Sequence, residues 1–204
     1  MGGWLAGWLG GCAPQAHLTF VGDSITAGGS WQDAFPHLRV HNHGVPGDQA
    51  SDVLARLEEV RATRARVYVL MLGINDLRSG QPPDRVAAQM GEIRQALQKS
   101  ASPPARVVVV STLQCRPEPA ADPLNGCTAK VRAQVERLNQ ILRRQTPEED
   151  FLDVNPAMSP RGLLSSAYTR DGIHLSAAGY RQWEELLRPK LRGSGSTGKS
   201  SAGW

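Results

Sequence analysis

The sequence predicts an α/β fold, in which a five-stranded, mainly parallel sheet lies between two helical layers as a three-layer α/β/α sandwich. Strand-like apolar runs alternate with helical patterns through most of the chain, and two of the runs are almost continuously apolar. Such runs are typical of strands that are buried on both faces of a parallel sheet. Right-handed crossovers would bring the carboxyl ends of these strands to one edge.

Five runs have the length and composition of strands, at residues 17–21, 39–43, 66–72, 106–112 and 151–154. Between them, apolar residues recur every three or four positions, which is the spacing of one face of a helix. These faces are Val53, Leu54, Leu57 and Val60, then Val86, Met90, Ile93 and Leu97, then Val131, Val135, Leu138 and Leu142. A last helix is predicted over residues 176–191.

The length and composition indicate one domain. A chain of 204 residues with 40% hydrophobic residues can bury a single core, which we assign to residues 17–192. Residues 1–16 form an apolar N-terminal segment, and residues 193–204 are interpreted as a flexible Gly/Ser-rich tail. Only 5% of residues are aromatic, so we expect a core of Val, Leu, Ile and Ala.

The three cysteines bear on the compartment. Cys115 and Cys127 bracket a Pro-rich loop, and a disulfide there would contribute about 3 kcal/mol and persist in an oxidising compartment. Two free thiols in a cytoplasmic enzyme are the alternative. Cys12 ends an apolar segment that resembles a lipoprotein cleavage box or the remnant of a signal peptide. We therefore expect a periplasmic or secreted protein, attached to a membrane only if Cys12 is lipidated.

A serine follows the first predicted strand. Ser24 lies in the segment GDSIT at residues 22–26, so its hydroxyl would sit where α/β folds place their functional residues. A serine becomes a nucleophile when a base removes its proton and donors bind the charge that develops on the attacked carbonyl. Considered alone, a serine after a strand more often caps a helix.

A base and two donor loops occur elsewhere in the chain. His174 follows Asp171 by three residues, and a turn there would let the carboxylate orient the imidazole. Glycine-containing turns after the second and third strands, at residues 42–48 and 72–76, can each supply an N–H donor. Structural alternatives remain, since Asn75 could serve a left-handed turn and Asp171 could cap the last helix.

Four segments resemble, in order, the four sequence blocks of the SGNH, or GDSL, hydrolases: GDSIT at 22–26, NHGVPGD at 42–48, GIND at 73–76 and DGIH at 171–174. The resemblance extends from about residue 18 to residue 191. It implies the flavodoxin-like SGNH hydrolase fold and an esterase that uses no cofactor.

The resemblance also implies roles for single residues. Ser24 would be the nucleophile, His174 the general base and Asp171 its orienting partner. The oxyanion hole would consist of the backbone amides of Ser24 and Gly47 and the side-chain amide of Asn75.

Three further residues in these blocks are interpreted as structural. Gly44 also fits the second block loosely, but Gly47 immediately precedes an acidic residue, so Gly44 is interpreted as a turn residue. Asp23 would bind nearby amides behind the nucleophile, because a charge there would disfavour the developing oxyanion. Asp76 is interpreted in the same way.

Other classes of function are disfavoured. The chain lacks the G-x-S-x-G elbow of α/β-hydrolases, and the Walker-like segment at 193–200 follows the last helix, so no nucleotide partner is expected. His41 and His43 share a strand face without another ligand type nearby, which argues against a metal. The 23 Lys and Arg residues are dispersed among 19 acidic residues without interleaved aromatics, which argues against nucleic acid.

The expected reaction is hydrolysis of carboxylic esters of short to medium acyl chain through an acyl-enzyme on Ser24. The short loops after the third and fourth strands, with few apolar residues to line a long tunnel, favour small acyl groups. A carbohydrate O-acetylesterase, a lysophospholipase or thioesterase, and an acyltransferase remain alternatives. A non-catalytic carbohydrate- or lipid-binding module is the alternative from another class. The expected partner is a small ester, and the expected state is a monomer.

Overall fold

The computed structural model describes residues 17–117 and 126–192, so the predicted N-terminal segment and the Gly/Ser-rich tail lie outside the described residues. Five parallel strands form one sheet in the order β2-β1-β3-β4-β5. The strands are β1 (Leu18–Gly22), β2 (Val40–Gly44), β3 (Val67–Met71), β4 (Arg106–Val110) and β5 (Phe151–Leu152). The predicted α/β fold is confirmed, and every strand pair in this sheet is parallel.

Helices connect consecutive strands and flank the sheet. They are α1 (Ser24–Ala27), α2 (Trp31–Ala34), α3 (Ala50–Ala55), α4 (Leu57–Arg61), α5 (Ile74–Arg78), α6 (Pro83–Gln98), α7 (Ala129–Gln145), α8 (Asn155–Met158) and α9 (Ala177–Arg192), with a 3-10 turn at Glu148–Asp150. The short helices α1, α2, α5 and α8 have no counterpart in the prediction.

The central strands are buried on both faces, as their apolar sequences predict. Every residue of β3 and β4 after the first is buried. Strand β2, at the edge of the sheet, is instead exposed at His41 and Asn42 and only partly buried at its other residues. Because the sheet is parallel, the chain leaves β1, β2 and β3 at the same edge.

The helix predicted across Val53 to Val60 is wrong in one respect, because the chain breaks at Arg56 between α3 and α4. Arg56 leaves the helical conformation, with φ −106° and ψ 18°. Its guanidinium donates from Nε to Asp48 Oδ2 over 2.8 Å and from Nη2 to the His43 carbonyl over 2.8 Å. These contacts join the break to the loop after β2.

The fourth and fifth predicted strands are longer than those observed. Strand β4 ends at Val110, because the backbone N–H of Thr112 donates to Asn139 Oδ1 over 2.8 Å instead of continuing the ladder. Strand β5 ends at Leu152, and the backbone N–H of Val154 donates to the Ser111 hydroxyl over 3.0 Å. The bounds of the first three strands differ from the prediction by one residue each, and β4 and β5 start where predicted.

The core consists mainly of Val, Leu, Ile and Ala, as expected, and a buried aromatic cluster adds to it. The rings of Phe20 and Trp31 stack with their centroids 4.0 Å apart, and Trp183 meets Trp31 edge-on at 4.7 Å. All three side chains are at most 1% exposed. This cluster lies where α2 and α9 pack on β1.

Cys115 and Cys127 form a disulfide, which decides between the two alternatives that the sequence left open. Both residues are buried. Of the loop that this disulfide closes, residues 118–125 lie outside the described residues. Within 17–117 and 126–192, no helix has the length and apolar character that spanning a membrane requires.

Candidate active site

The loop between β1 and α1 presents Ser24. Asp23 is the N-cap of α1, since its Oδ1 accepts a hydrogen bond from the backbone N–H of Ile25 over 2.9 Å. The capping role that was the alternative for Ser24 therefore belongs to its neighbour. The hydroxyl oxygen of Ser24 lies instead 2.9 Å from Nε2 of His174.

The loop between α8 and α9 holds the acid and the imidazole together. Asp171 Oδ2 lies 2.6 Å from His174 Nδ1. Its other oxygen, Oδ1, accepts hydrogen bonds from the backbone N–H groups of Ile173, over 2.9 Å, and His174, over 2.7 Å. The carboxylate therefore closes its own loop and does not cap α9.

These contacts affect the pKa of Asp171. Burial acts to raise the pKa of this carboxyl, but the hydrogen bonds from the His174 ring and from the two amides outweigh burial and hold the pKa below its ordinary value. Asp171 is therefore ionised near neutral pH. An ionised carboxylate accepts the Nδ1–H of His174, which leaves Nε2 free to accept the Ser24 proton.

The loop after β2 is a tight turn that presents Gly47. The backbone N–H of Asp48 donates to the Val45 carbonyl over 3.2 Å, and Gly47 has φ +87°. Pro46 followed by a glycine of positive φ is typical of a type II turn. Apart from its chain neighbours, no atom of the described residues lies within 4 Å of where a Gly47 Cβ would be, so its positive φ, rather than crowding, favours glycine here.

The loop after β3 presents Asn75 on the first turn of α5. Gly73 precedes this helix with φ +118°, and a Cβ there would lie 2.7 Å from Leu138 Cδ2. The Asn75 amide Nδ2 donates to the Asp48 carbonyl over 3.1 Å. One hydrogen of the amide is thereby held, and the second is available to a ligand.

The sheet register brings these loops together. Gly22, at the end of β1, pairs with Gly44 of β2 on one side and with Met71 of β3 on the other. The backbone N–H of Ser24 belongs to the first residue of α1, so it has no acceptor within that helix. The amides of Ser24, Gly47 and Asn75 thus lie on three neighbouring loops at one edge.

Gly44 corrects one interpretation, because it ends strand β2 and is not in the turn. A Cβ on Gly44 would lie 2.2 Å from the backbone nitrogen of Ala27. Glycine is needed here because α1 passes directly against the strand.

Two buried aspartates lie behind the site, and both accept bonds from backbone amides, as their interpretation predicted. Burial raises the pKa of Asp23 to about 7. Asp76 Oδ1 accepts from the Ala50 N–H over 3.0 Å, and burial raises its pKa also. Asp76 Oδ2 is buried and has no hydrogen-bond partner within the described residues.

Two residues that support the site were missed by the sequence analysis. The Thr169 hydroxyl donates to the His174 carbonyl over 2.9 Å and accepts from the Gly172 N–H over 2.9 Å. Its position two residues before Asp171 was the available signal. Arg116 also contacts this loop, through its backbone N–H and its side chain. No local pattern could show that, since its partners are 48 residues or more away along the chain.

The described residues contain no group of three His, Cys, Asp or Glu side chains that could hold a metal. The rings of His41 and His43 are nearly parallel, with centroids 6.3 Å apart, and His43 Nδ1 lies 3.7 Å from Glu59 Oε1. A cavity of about 410 Å³ lies at the opposite, amino-terminal edge of the sheet, lined by residues that include His17, Phe35 and Arg188.

Comparisons with known proteins show the family to which the chain belongs. Residues 20–182 match the family model of the GDSL-like lipase/acylhydrolase family. The platelet-activating factor acetylhydrolase IB subunit alpha1 of Pongo abelii is 30% identical over 176 residues, which cover 81% of this chain and 71% of that protein. The Homo sapiens protein of the same name is 30% identical over 173 residues.

Solved structures share the fold. A GDSL-like lipase from Bacteroides thetaiotaomicron superposes with a TM-score of 0.70 at 20% identity, over 87% of this chain and 88% of that one. A catalytic mutant of an acetylxylan esterase from Geobacillus stearothermophilus superposes with a TM-score of 0.65 at 21% identity, over 86% and 94%. At such identities the likeness shows the fold alone, whereas the family match extends through most of the sequence. The chain is a hydrolase that belongs to the GDSL-like lipase/acylhydrolase family.

Proposed function

We propose that this hydrolase is a serine esterase that cleaves carboxylic esters of short to medium acyl chain through an acyl-enzyme on Ser24. The observation that carries the proposal is the unbroken series of contacts from the Ser24 hydroxyl to His174 Nε2, at 2.9 Å, and from His174 Nδ1 to Asp171, at 2.6 Å. A serine that contacts an oriented imidazole is the arrangement that nucleophilic acyl transfer requires.

The acylation step follows from these contacts. Ser24 Oγ bonds to the acyl carbon while its proton moves to His174 Nε2, and the carbonyl oxygen becomes an oxyanion. The bond from the acyl carbon to the alcohol oxygen then breaks, and His174 returns the proton to the departing alcohol. Asp171 stays ionised throughout and stabilises the imidazolium.

Deacylation repeats the same steps with water. His174 takes a proton from the water as its oxygen bonds to the acyl carbon, and the bond to Ser24 Oγ breaks as the proton returns to the serine. In both steps the Ser24 and Gly47 backbone amides and the Asn75 side chain would donate to the oxyanion. Each such donor typically supplies about 3 kcal/mol of transition-state stabilisation.

Two observations support a small acyl group. The Asp171 and His174 side chains are 41% and 36% exposed, so this half of the site lies near the surface. The relative that is 30% identical bears the name of an acetylhydrolase, and acetyl is a short acyl group.

A carbohydrate O-acetylesterase is the second candidate. The exposure of Asp171 and His174 favours a site that admits a bulky alcohol such as a sugar. This candidate shares every chemical step with the first proposal and differs in the alcohol that leaves. Acetate release from acetylated glycans, with little activity on longer acyl esters, would distinguish it.

A graded series of nitrophenyl esters, run beside Ser24→Ala and a fluorophosphonate probe, tests the proposal. The native enzyme should be labelled on Ser24 and should prefer the shorter acyl chains, and Ser24→Ala should lose both labelling and hydrolysis while remaining folded. If Ser24→Ala still hydrolysed esters, Ser24 would be excluded as the nucleophile. A preference for long-chain esters would overturn the acyl-chain assignment, and an unlabelled native protein would favour a binding module.

We also propose that the enzyme works in the periplasm or outside the cell. The disulfide between Cys115 and Cys127 supports this proposal, because such bonds persist in oxidising compartments. Alkylation of whole cells lysed directly into denaturant tests it, because Cys115 and Cys127 are buried in the folded protein. Both should resist alkylation, whereas alkylation of both would indicate the cytoplasm.

A further inference from the structure

The loop that carries Asp171 and His174 is held by Arg116. The backbone N–H of Arg116 donates to the Gly172 carbonyl over 2.8 Å. Gly172 lies between Asp171 and His174 in the sequence. The Arg116 side chain donates from Nε to the carbonyl of Leu164 over 2.6 Å. Leu164 is completely buried, so this second bond connects Arg116 to a fixed point earlier in the same segment.

The supported segment has little regular structure of its own. Residues 159–176 form neither helix nor strand, apart from an isolated bridge between Thr169 and Leu175. The segment places the imidazole 2.9 Å from Ser24 without the support of a helix or a sheet ladder. Its position therefore depends on individual contacts such as those of Arg116.

Arg116 itself lies beyond the end of strand β4, where the ladder no longer holds the chain. Its neighbour Cys115 is bonded to Cys127, which immediately precedes Thr128, the N-cap of α7. The Thr128 side chain accepts from the Val131 N–H over 3.1 Å, so the disulfide is anchored at the start of a 17-residue helix.

We propose that Arg116, held in place by the Cys115–Cys127 disulfide, is a positioning residue for the Asp171–His174 pair. The inference rests on the proposed function, because it assigns Arg116 a role in the acyl transfer carried out by those residues. Arg116 acts through the loop and does not touch the reacting atoms. When either hydrogen bond from Arg116 to this segment is weakened, the loop shifts and the His174 imidazole leaves its best position relative to Ser24.

A shift of this kind affects kcat more than KM. Displacing a catalytic group by an ångström costs up to about a hundredfold in rate, whereas contacts of the substrate with other loops remain. A looser contact between Asp171 and His174 also weakens the hydrogen bond that holds the pKa of Asp171 below its ordinary value. We therefore expect the acid limb of the pH profile of kcat/KM to move, which a purely structural role for Arg116 would not produce.

The first test replaces the side chain. Arg116→Met keeps the length and loses the donor to Leu164, and kcat should fall about tenfold while KM changes by less than about twofold. Arg116→Lys restores one donor and should recover part of the loss. Arg137→Met is the matched control, because Arg137 is an exposed arginine on α7 that pairs with Asp84. It should leave kcat and the pH profile unchanged.

The second test opens the disulfide. Dithiothreitol adds two electrons and two protons to the disulfide and becomes a cyclic disulfide, leaving thiols at Cys115 and Cys127. Native enzyme treated in this way should have a lower kcat, and the acid limb of its pH profile should move, as in Arg116→Met. The variant with both Cys115→Ala and Cys127→Ala should behave like the reduced enzyme and should not respond to dithiothreitol. All rates are compared at a temperature where circular dichroism shows each protein folded.

These outcomes separate the two proposals. Unchanged kcat and pH profile in Arg116→Met and in the folded, reduced enzyme would overturn the role of Arg116 while leaving the esterase proposal intact. A native enzyme that neither reacts with a fluorophosphonate nor hydrolyses any ester would instead overturn the proposed function itself.

Discussion

The side-chain amide of Asn75 donates a hydrogen bond to the backbone carbonyl of Asp48 over 3.1 Å. This bond joins α5 to the turn that ends just after Gly47, so it fixes two of the proposed oxyanion donors relative to each other. Arg56 supports the same turn from the other side, since its Nη2 lies 2.8 Å from Asp48 Oδ2. The donors are therefore positioned before a substrate binds, as electrostatic stabilisation of an oxyanion requires.

Removing the Asn75 amide should lower turnover strongly. Asn75→Ala deletes one oxyanion donor, worth about 3 kcal/mol, so we expect kcat to fall by about two to three orders of magnitude. Steady-state kinetics on a short-chain nitrophenyl ester measures this. Asn139→Ala is the control, because Asn139 makes two hydrogen bonds to the backbone of Thr112 and should affect stability alone. An Asn75→Ala enzyme of native kcat would exclude the donor role.

Replacing Asp171 by asparagine should trap the wrong tautomer of His174. In Asp171→Asn the amide oxygen can still accept from the two backbone N–H groups, but an NH₂ group replaces the oxygen that faces His174 Nδ1. Nε2 must then carry the proton and cannot accept one from Ser24. We expect kcat to fall by about two to four orders of magnitude without loss of folding, as followed by kinetics and circular dichroism. Retention of native kcat would contradict the orienting role.

Two glycines of the second block should respond differently to alanine. Gly44→Ala places a Cβ 2.2 Å from the Ala27 backbone nitrogen, and we expect it to lower the free energy of unfolding by about 3 kcal/mol. Gly47→Ala meets no atom but keeps a positive φ, which should cost about 1 kcal/mol. Urea unfolding of both variants checks this order. Equal losses would show that α1 can move away from β2.

The titration of Asp23 should appear in the pH dependence of stability. Burial raises the pKa of Asp23 from 3.8 to about 7, so folding favours its protonated form. The free energy of unfolding should therefore decrease as the pH rises from 3.8 to about 7, because the unfolded chain releases the Asp23 proton before the folded protein does. Asp23→Asn stays neutral and can keep the bond from Ile25, so its stability relative to the native protein should be greater at about pH 8 than at about pH 5.

Urea unfolding at the two pH values measures the effect of Asp23→Asn. The matched control is Asp33→Asn, which changes an exposed aspartate on α2 and should show a much smaller difference between the two conditions. The same difference in stability at both pH values would contradict the burial effect on Asp23.

The sequence predicted the alternation of strands and helices because burial on a parallel sheet produces apolar patterns within each short stretch of sequence. The apolar runs in β3 and β4 follow from burial on both faces. The break at Arg56 produces no such local pattern and could not be predicted, since it depends on the contacts of its guanidinium with His43 and Asp48 in the preceding loop. The aromatic cluster was missed for the same reason, because Phe20 and Trp183 meet Trp31 only in the folded chain.

By itself, the sequence determined the fold class, the four segments and which of their residues carry suitable chemistry. It could do so because strand and helix periodicities and the turn chemistry of Pro46-Gly47 are local properties. Only the tertiary structure decided that Ser24 meets His174 across 150 residues, that Asp23 caps α1, and that Cys115 and Cys127 are joined. Such contacts depend on the order and register of the strands, which bring distant loops to one edge of the sheet.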